Sequence, residues 1–260
     1  MRSRLLALFC LLLAAATTVQ AQPVLLQIKP HTGDTIAVKV EQRLEITGGS
    51  GEAMRRLTTV TQVFSHAFVT RTTSRGAEVT ALTDSMRTAT FPGGKTPPLK
   101  SVAVKDPSMR LRFTTDGGAE LLEGGRSARL ATAFGPMPAT LSGKAVNEGD
   151  SWEREMRIPI SGEAGAMGRV HARFHLDSLS HNGDIAFISM NGKLSHDHKD
   201  GSTSELDGSM TAYIQLDRRL GWITDTRATI DVTSTVRGHD GQPMKIRTRV
   251  TQQLKAAPER

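Results

Sequence analysis

The sequence predicts an all-β protein: long antiparallel strands in a curved sheet or half-open barrel, with a candidate division into two similar halves and one short helix. Two observations carry this. Apolar and polar residues alternate with period two through most of the chain, and short Gly, Asn and Asp clusters separate the alternating runs. Successive strand side chains face opposite sides, so alternation buries one face and wets the other, as antiparallel sheets do. Parallel strands covered by helices read instead as continuous apolar runs.

Residues 1–21 read as a secretory signal peptide. Arg2 and Arg4 precede the uncharged apolar run Leu5 to Ala16, and Val19-Gln20-Ala21 supplies a small-residue cleavage site before Gln22-Pro23. The apolar run is well short of the ~20 residues that a spanning helix needs. Cys10 has bulky Phe9 before it, which disfavours a lipid-attachment site, and cleavage removes this lone cysteine. The expected mature chain is then exported to the periplasm or medium as residues 22–260, a single β-rich domain with no disulfide and no thiolate. Loss of Arg2 and Arg4 takes the net charge from +7 to +5, a basic excess that suits anionic partners without selecting one. No later stretch is long and apolar enough to span a bilayer as a helix.

The first clear strand is Thr35 to Ile46, where Ile36, Val38, Val40, Leu44 and Ile46 oppose Thr35, Lys39, Glu41, Arg43 and Glu45. Gln42 alone breaks its apolar face. Trp152, Met156, Ile158 and Ile160 repeat the pattern, as do Val170 to Asp177, Ser209 to Leu216 and Met244 to Val250. Ser74-Arg75-Gly76, Asp116-Gly117-Gly118, His181 to Asp184 and Gly238 to Gly241 read as tight turns. Thr47 to Ala53 and Phe91 to Pro98 read as longer loops. The short helix is placed at Arg126 to Phe134, ended by Gly135-Pro136.

Two spacings point to an internal repeat, about residues 30–126 and 146–254. Gly33-Asp34-Thr35 and Gly149-Asp150-Ser151 each open a strand, 116 positions apart. Asp106-Pro107-Ser108-Met109 and Asp207-Gly208-Ser209-Met210 each precede a strand, 101 apart, with Asp116 and Asp217 at the same relative place. The competing reading is that such turns favour these residues anyway.

Candidate chemistry is sparse. His171 and His175 share a strand face but are separated by ~13 Å of extended chain, too far for one metal on a straight strand. His196 and His198 fall in a polar loop-like stretch, so wet structural histidines are the better reading. Asp197 to Glu205 has the wrong ligand spacing for a calcium loop. Gly94-Lys95-Thr96 lacks the first glycine of a phosphate loop, with Ala89 in its place, and Pro97-Pro98 forbids the helix that should follow. Glu153 and Glu155 share the wet face of a strand. No G-x-S-x-G or H-E-x-x-H motif occurs. No catalytic residue, metal ligand or cofactor is therefore assigned. Aromatic residues are too scarce for nucleic-acid stacking.

One charge feature is coherent. Lys245, Arg247 and Arg249 alternate with Met244, Ile246 and Val250, which places all three cations on one strand face about 7 Å apart. They form the candidate site for an anionic group. The competing reading is a charged edge strand that discourages aggregation.

With Gly33-Asp34-Thr35, Pro136-Met137-Pro138, Gly149-Asp150-Ser151-Trp152 and the stretch from Tyr213 through Asp217 to Gly221-Trp222-Ile223, the chain resembles a class of uncharacterised secreted bacterial β-sheet proteins, a domain of unknown function. The resemblance implies no activity and no catalytic residue. The function expected from the residues is a non-enzymatic envelope protein binding an apolar or amphipathic ligand such as a lipid. The alternative is a structural or interaction module that binds an envelope protein. A hydrolase with a dispersed site is the third reading.

Overall fold

The computed structural model describes residues 22–49, 55–93, 95–104, 107–124, 139–159, 167–196, 206–237 and 243–259. Within them the alternating runs become twelve strands: β1 (Thr35–Gly48), β2 (Arg55–Thr73), β3 (Gly76–Phe91), β4 (Lys100–Val102), β5 (Ser108–Thr114), β6 (Ala119–Gly124), β7 (Ser151–Pro159), β8 (Met167–Ser180), β9 (Ile185–His196), β10 (Leu206–Asp217), β11 (Trp222–Arg237) and β12 (Pro243–Pro258). They form one sheet in the order β6-β5-β3-β2-β1-β12-β11-β10-β9-β8-β7, with β4 paired to β3 off this path. Every pairing is antiparallel. The first and last long strands meet at the centre, from Ile36↔Pro258 to Gly48↔Ile246.

The sheet is rolled but not closed among the described residues, as a half-open barrel would be. Phe113 of β5 and Trp222 of β11 are separated by four strands in this order, which a flat sheet would hold ~24 Å apart at ~4.8 Å per strand. Their ring centroids lie 4.8 Å apart, edge to face. Only a strongly curled sheet permits that contact. No helix among the described residues is long and apolar enough to cross a membrane.

The two ends of the roll are unlike. One end carries the tight turns at 74–75, 115–118, 181–184 and 218–221, and the other carries the longer connections. Residues 22–34 strap across the turn end. The Ile28 amide donates to the Thr115 carbonyl at 2.8 Å and the Lys29 amide to the Gly221 carbonyl at 2.9 Å. Leu26, Ile28 and Pro30 are buried beneath. Gly221 has φ +64° and lies so close to the strap that a Cβ would sit 2.2 Å from the Lys29 carbonyl oxygen. Residues 139–150 bridge the remaining gap: the Leu141 amide donates to Asp116, and Trp152 Nε1 donates to the Thr140 carbonyl at 3.0 Å. Trp152 in turn stacks on Phe174.

The two Gly-Asp openings form the same corner. Gly33 and Gly149 have φ of +94° and +88°, a conformation that suits glycine. Their amides donate to Val69 and Leu176 carbonyls, while the Val69 and Leu176 amides return bonds to Asp34 and Asp150. The two aspartates accept from the amides three residues earlier, His31 at 2.8 Å and Asn147 at 2.7 Å. One residue beyond the corner each partner strand carries a bulge, at Thr70 in β2 and Asp177 in β8. The second spacing differs: matching Val79↔Leu111 to Ile188↔Ile214 equates Leu111 with Ile214, so Asp217 falls opposite Thr114 rather than Asp116.

β1 runs to Gly48, two residues into the stretch read as a loop, because β2 and β12 pair with it there from both sides. The helix expected at Arg126 to Phe134, the turn at Gly238 to Gly241 and residues 1–21 lie outside the described residues.

Candidate functional site

The inward face changes character along its length. At the turn end Ile36, Val38 and Val40 of β1 join Phe174, Leu176, Ile188 and Leu216 in the buried core. A polar row then crosses four central strands: Thr88, Thr61, Gln42 and Gln252 occupy adjacent pairing positions, with Thr61 and Thr88 hydroxyls 3.3 Å apart. Gln42, the break noted in the sequence, is one member of that row. Beyond it the face is apolar again but only half-buried, at Leu44, Ile46, Ile230, Val232, Ile246 and Val250. Leu57, opposite Ile46, is 47% exposed. Sequence alone could not distinguish Ile36 from Ile46, since both belong to the same alternation; the roll and the strap cover only one.

The cationic residues face outward on the same strands. Lys245, Arg247 and Arg249 are exposed while Met244, Ile246 and Val250 point inward, as the alternation predicts. β12 is not an edge strand, however. It pairs with β1 on one side and β11 on the other, so edge protection does not explain the stripe. Asp231 of β11 accepts from both Arg247 and Arg249, at 3.3 and 2.9 Å. Glu45 of β1 similarly accepts from Arg43 and Arg56, both at 2.7 Å. Those two hydrogen bonds, Arg43 first, hold the Glu45 carboxyl below its ordinary range. Arg56 is the member that sequence reasoning missed, because it sits in a polar run where nothing marks it out. A depression of ≈ 200 Å³ opens between Glu45, Thr47, Arg56, Arg247 and Arg249.

A second outward cluster centres on His66 of β2. Its Nδ1 lies 2.7 Å from Asp84, at a bulge of β3, and its Nε2 lies 2.7 Å from Glu259 beyond β12. The hydrogen bond to Asp84, supported by Glu259, raises the His66 pKa against the opposing effect of burial. Of the histidines singled out in the sequence, His171 and His175 have separate partners. His175 Nδ1 bonds the Ser151 hydroxyl at 3.1 Å, His171 lies 3.9 Å from Glu155, and His198 is outside the described residues with the stretch Asp197 to Glu205. Among the described residues no group of three or more His, Cys, Asp or Glu is placed to hold a metal. Arg43 donates to the Thr96 hydroxyl of the proline-bounded loop at 3.5 Å, a contact between loop and sheet.

A family model described as "Family of unknown function (DUF6263)" matches residues 127–223, a span that includes the 139–150 link and β7 to β10. Comparison with curated proteins gives no match. Among solved structures, the crystal structure of Pseudomonas aeruginosa OpdQ aligns over 86% of this chain and 99% of that chain, at 8% identity and a TM-score of 0.23. A likeness that weak carries no argument about fold or function.

Proposed function

We propose that this is a non-enzymatic binding protein of the cell envelope, whose open end shelters the apolar part of an amphipathic molecule. The observation that carries the reading is the half-buried apolar face at Leu44, Ile46, Ile230, Ile246 and Val250 with exposed Leu57, which resumes beyond the polar row and, among the described residues, is less deeply buried than the core. Exposed contiguous apolar surface rimmed by polar groups marks a binding surface. The Gln42, Gln252, Thr61 and Thr88 row at its floor supplies donors and acceptors to a polar group of the ligand. Export is supported by the basic, apolar and small-residue order of residues 1–21. The matching corners at Gly33-Asp34 and Gly149-Asp150 support a chain built from two copies of one unit.

The test is titration with an uncharged naphthylamine fluorophore, which brightens in apolar surroundings. Wild type takes up the dye saturably, and Ile46→Glu with Ile230→Glu abolishes uptake while the melting transition persists. Absence of uptake by the folded wild type would overturn the reading in favour of a structural or interaction module.

A further inference from the structure

The outward cations gather at the same end as the open apolar face. Arg56 and Arg247 flank Thr47 in one row across β2, β1 and β12, next to the last residue of β1. Lys245 lies one repeat nearer the end and Arg249 one repeat farther from it. Four guanidiniums, those of Arg43, Arg56, Arg247 and Arg249, hold two carboxylates, and the depths of the two kinds of group differ. The side chains of Glu45 and Asp231 are 17% and 23% exposed, whereas those of Arg56, Arg247 and Arg249 are 50%, 64% and 50% exposed. The carboxylates lie beneath and the guanidiniums above, so solvent meets positive charge. Ile46 and Ile246 occupy the inward side of these same strands, so one sheet thickness separates the cationic rim from the apolar floor.

We propose that this basic rim docks the open end of the protein onto an anionic phospholipid surface. Guanidinium forks bind phosphate oxygens well, and docking there sets the mouth at head-group level, where an amphipathic molecule crosses between protein and bilayer. For what the mouth receives, the docking rests on the ligand reading above.

The test is sedimentation with vesicles. Wild type partitions onto phosphatidylglycerol-containing vesicles at low ionic strength, not onto pure phosphatidylcholine, and is released as salt shortens the screening length. Changing Lys245, Arg247 and Arg249 to Gln weakens partitioning roughly a hundredfold. Changing Lys29, Arg75 and Arg219 to Gln, which removes equal charge from the turn end, leaves it intact. Naphthylamine uptake is retained in the rim variant, so failure of docking and failure of the ligand reading are told apart. Three results overturn the proposal: wild type ignoring anionic vesicles at low salt, equal loss in both triple variants, or release by inorganic phosphate at matched ionic strength, which would mark a soluble-anion pocket. The wild-type measurements decide the first and third without any variant.

Discussion

Truncating two isoleucines of one strand face measures the difference between the two ends of the roll. Ile36 and Ile46 both point inward from β1, but Ile36 is 0% exposed beneath the strap and Ile46 is half-buried beyond the polar row. At Ile36 the change to Ala loses the transfer free energy of the removed methyl and methylene groups and leaves a cavity in a packed core, about 2–5 kcal/mol together. At Ile46 part of the side chain already meets water and no closed cavity forms, so the cost falls to about 1 kcal/mol. Urea unfolding followed by tryptophan fluorescence reads both, since Trp152 and Trp222 lie in the turn-end core and report the global transition. Equal destabilisation at the two positions would refute the argument, because it requires the loop end to be packed as tightly as the turn end.

Four further outcomes are expected. Gly221→Ala forces a Cβ to within 2.2 Å of the Lys29 carbonyl at positive φ, so it should destabilise by about 2 kcal/mol or more and speed proteolysis of the strap; an unchanged melting temperature would show that the strap does not seat there. Asp34→Ala and Asp150→Ala each remove an acceptor from an equivalent corner and should cost a similar ~1 kcal/mol in thermal unfolding; a cost confined to one of them would separate the corners. Asp84, with Glu259, raises the His66 pKa in the folded state, so the stability from its proton is fully present below the ordinary histidine pKa and is lost as pH rises through the raised value. Melting curves across that window should show the fall in wild type and not in His66→Gln, and identical profiles would remove His66 from the account. Amino-terminal sequencing of envelope-derived protein should begin near Gln22; intact Met1 would contradict export by cleavage.

Much of the fold was legible because alternation is local. The facing of β1, β10 and β12 follows from the alternation of apolar and polar side chains, with Gln42 and Gln252 as polar exceptions on the inward face. The Gly-Asp pairs were legible as strand openings, and the structure supplies their physical cause in a positive φ followed by an acceptor for an earlier amide. What could not be read was set by distant pairing. Nothing within Pro243 to Pro258 says that β12 joins β1 at the centre of the sheet, so its cations fitted an edge strand equally well. The contact of Phe113 with Trp222 depends on the twist accumulated over intervening strands. The partnership of Arg56 with Glu45 likewise exists only once β1 and β2 are in register.

The central claim is that the loop end of the roll receives the apolar portion of an amphipathic molecule, and native mass spectrometry with a titrated single-chain phospholipid addresses it most directly. The account predicts a saturable one-to-one adduct on wild-type protein, lost in the Ile46→Glu, Ile230→Glu variant and retained when Lys245, Arg247 and Arg249 are changed to Gln. A wild-type spectrum without adduct, or adducts equally abundant in the Ile46→Glu, Ile230→Glu variant, would contradict it.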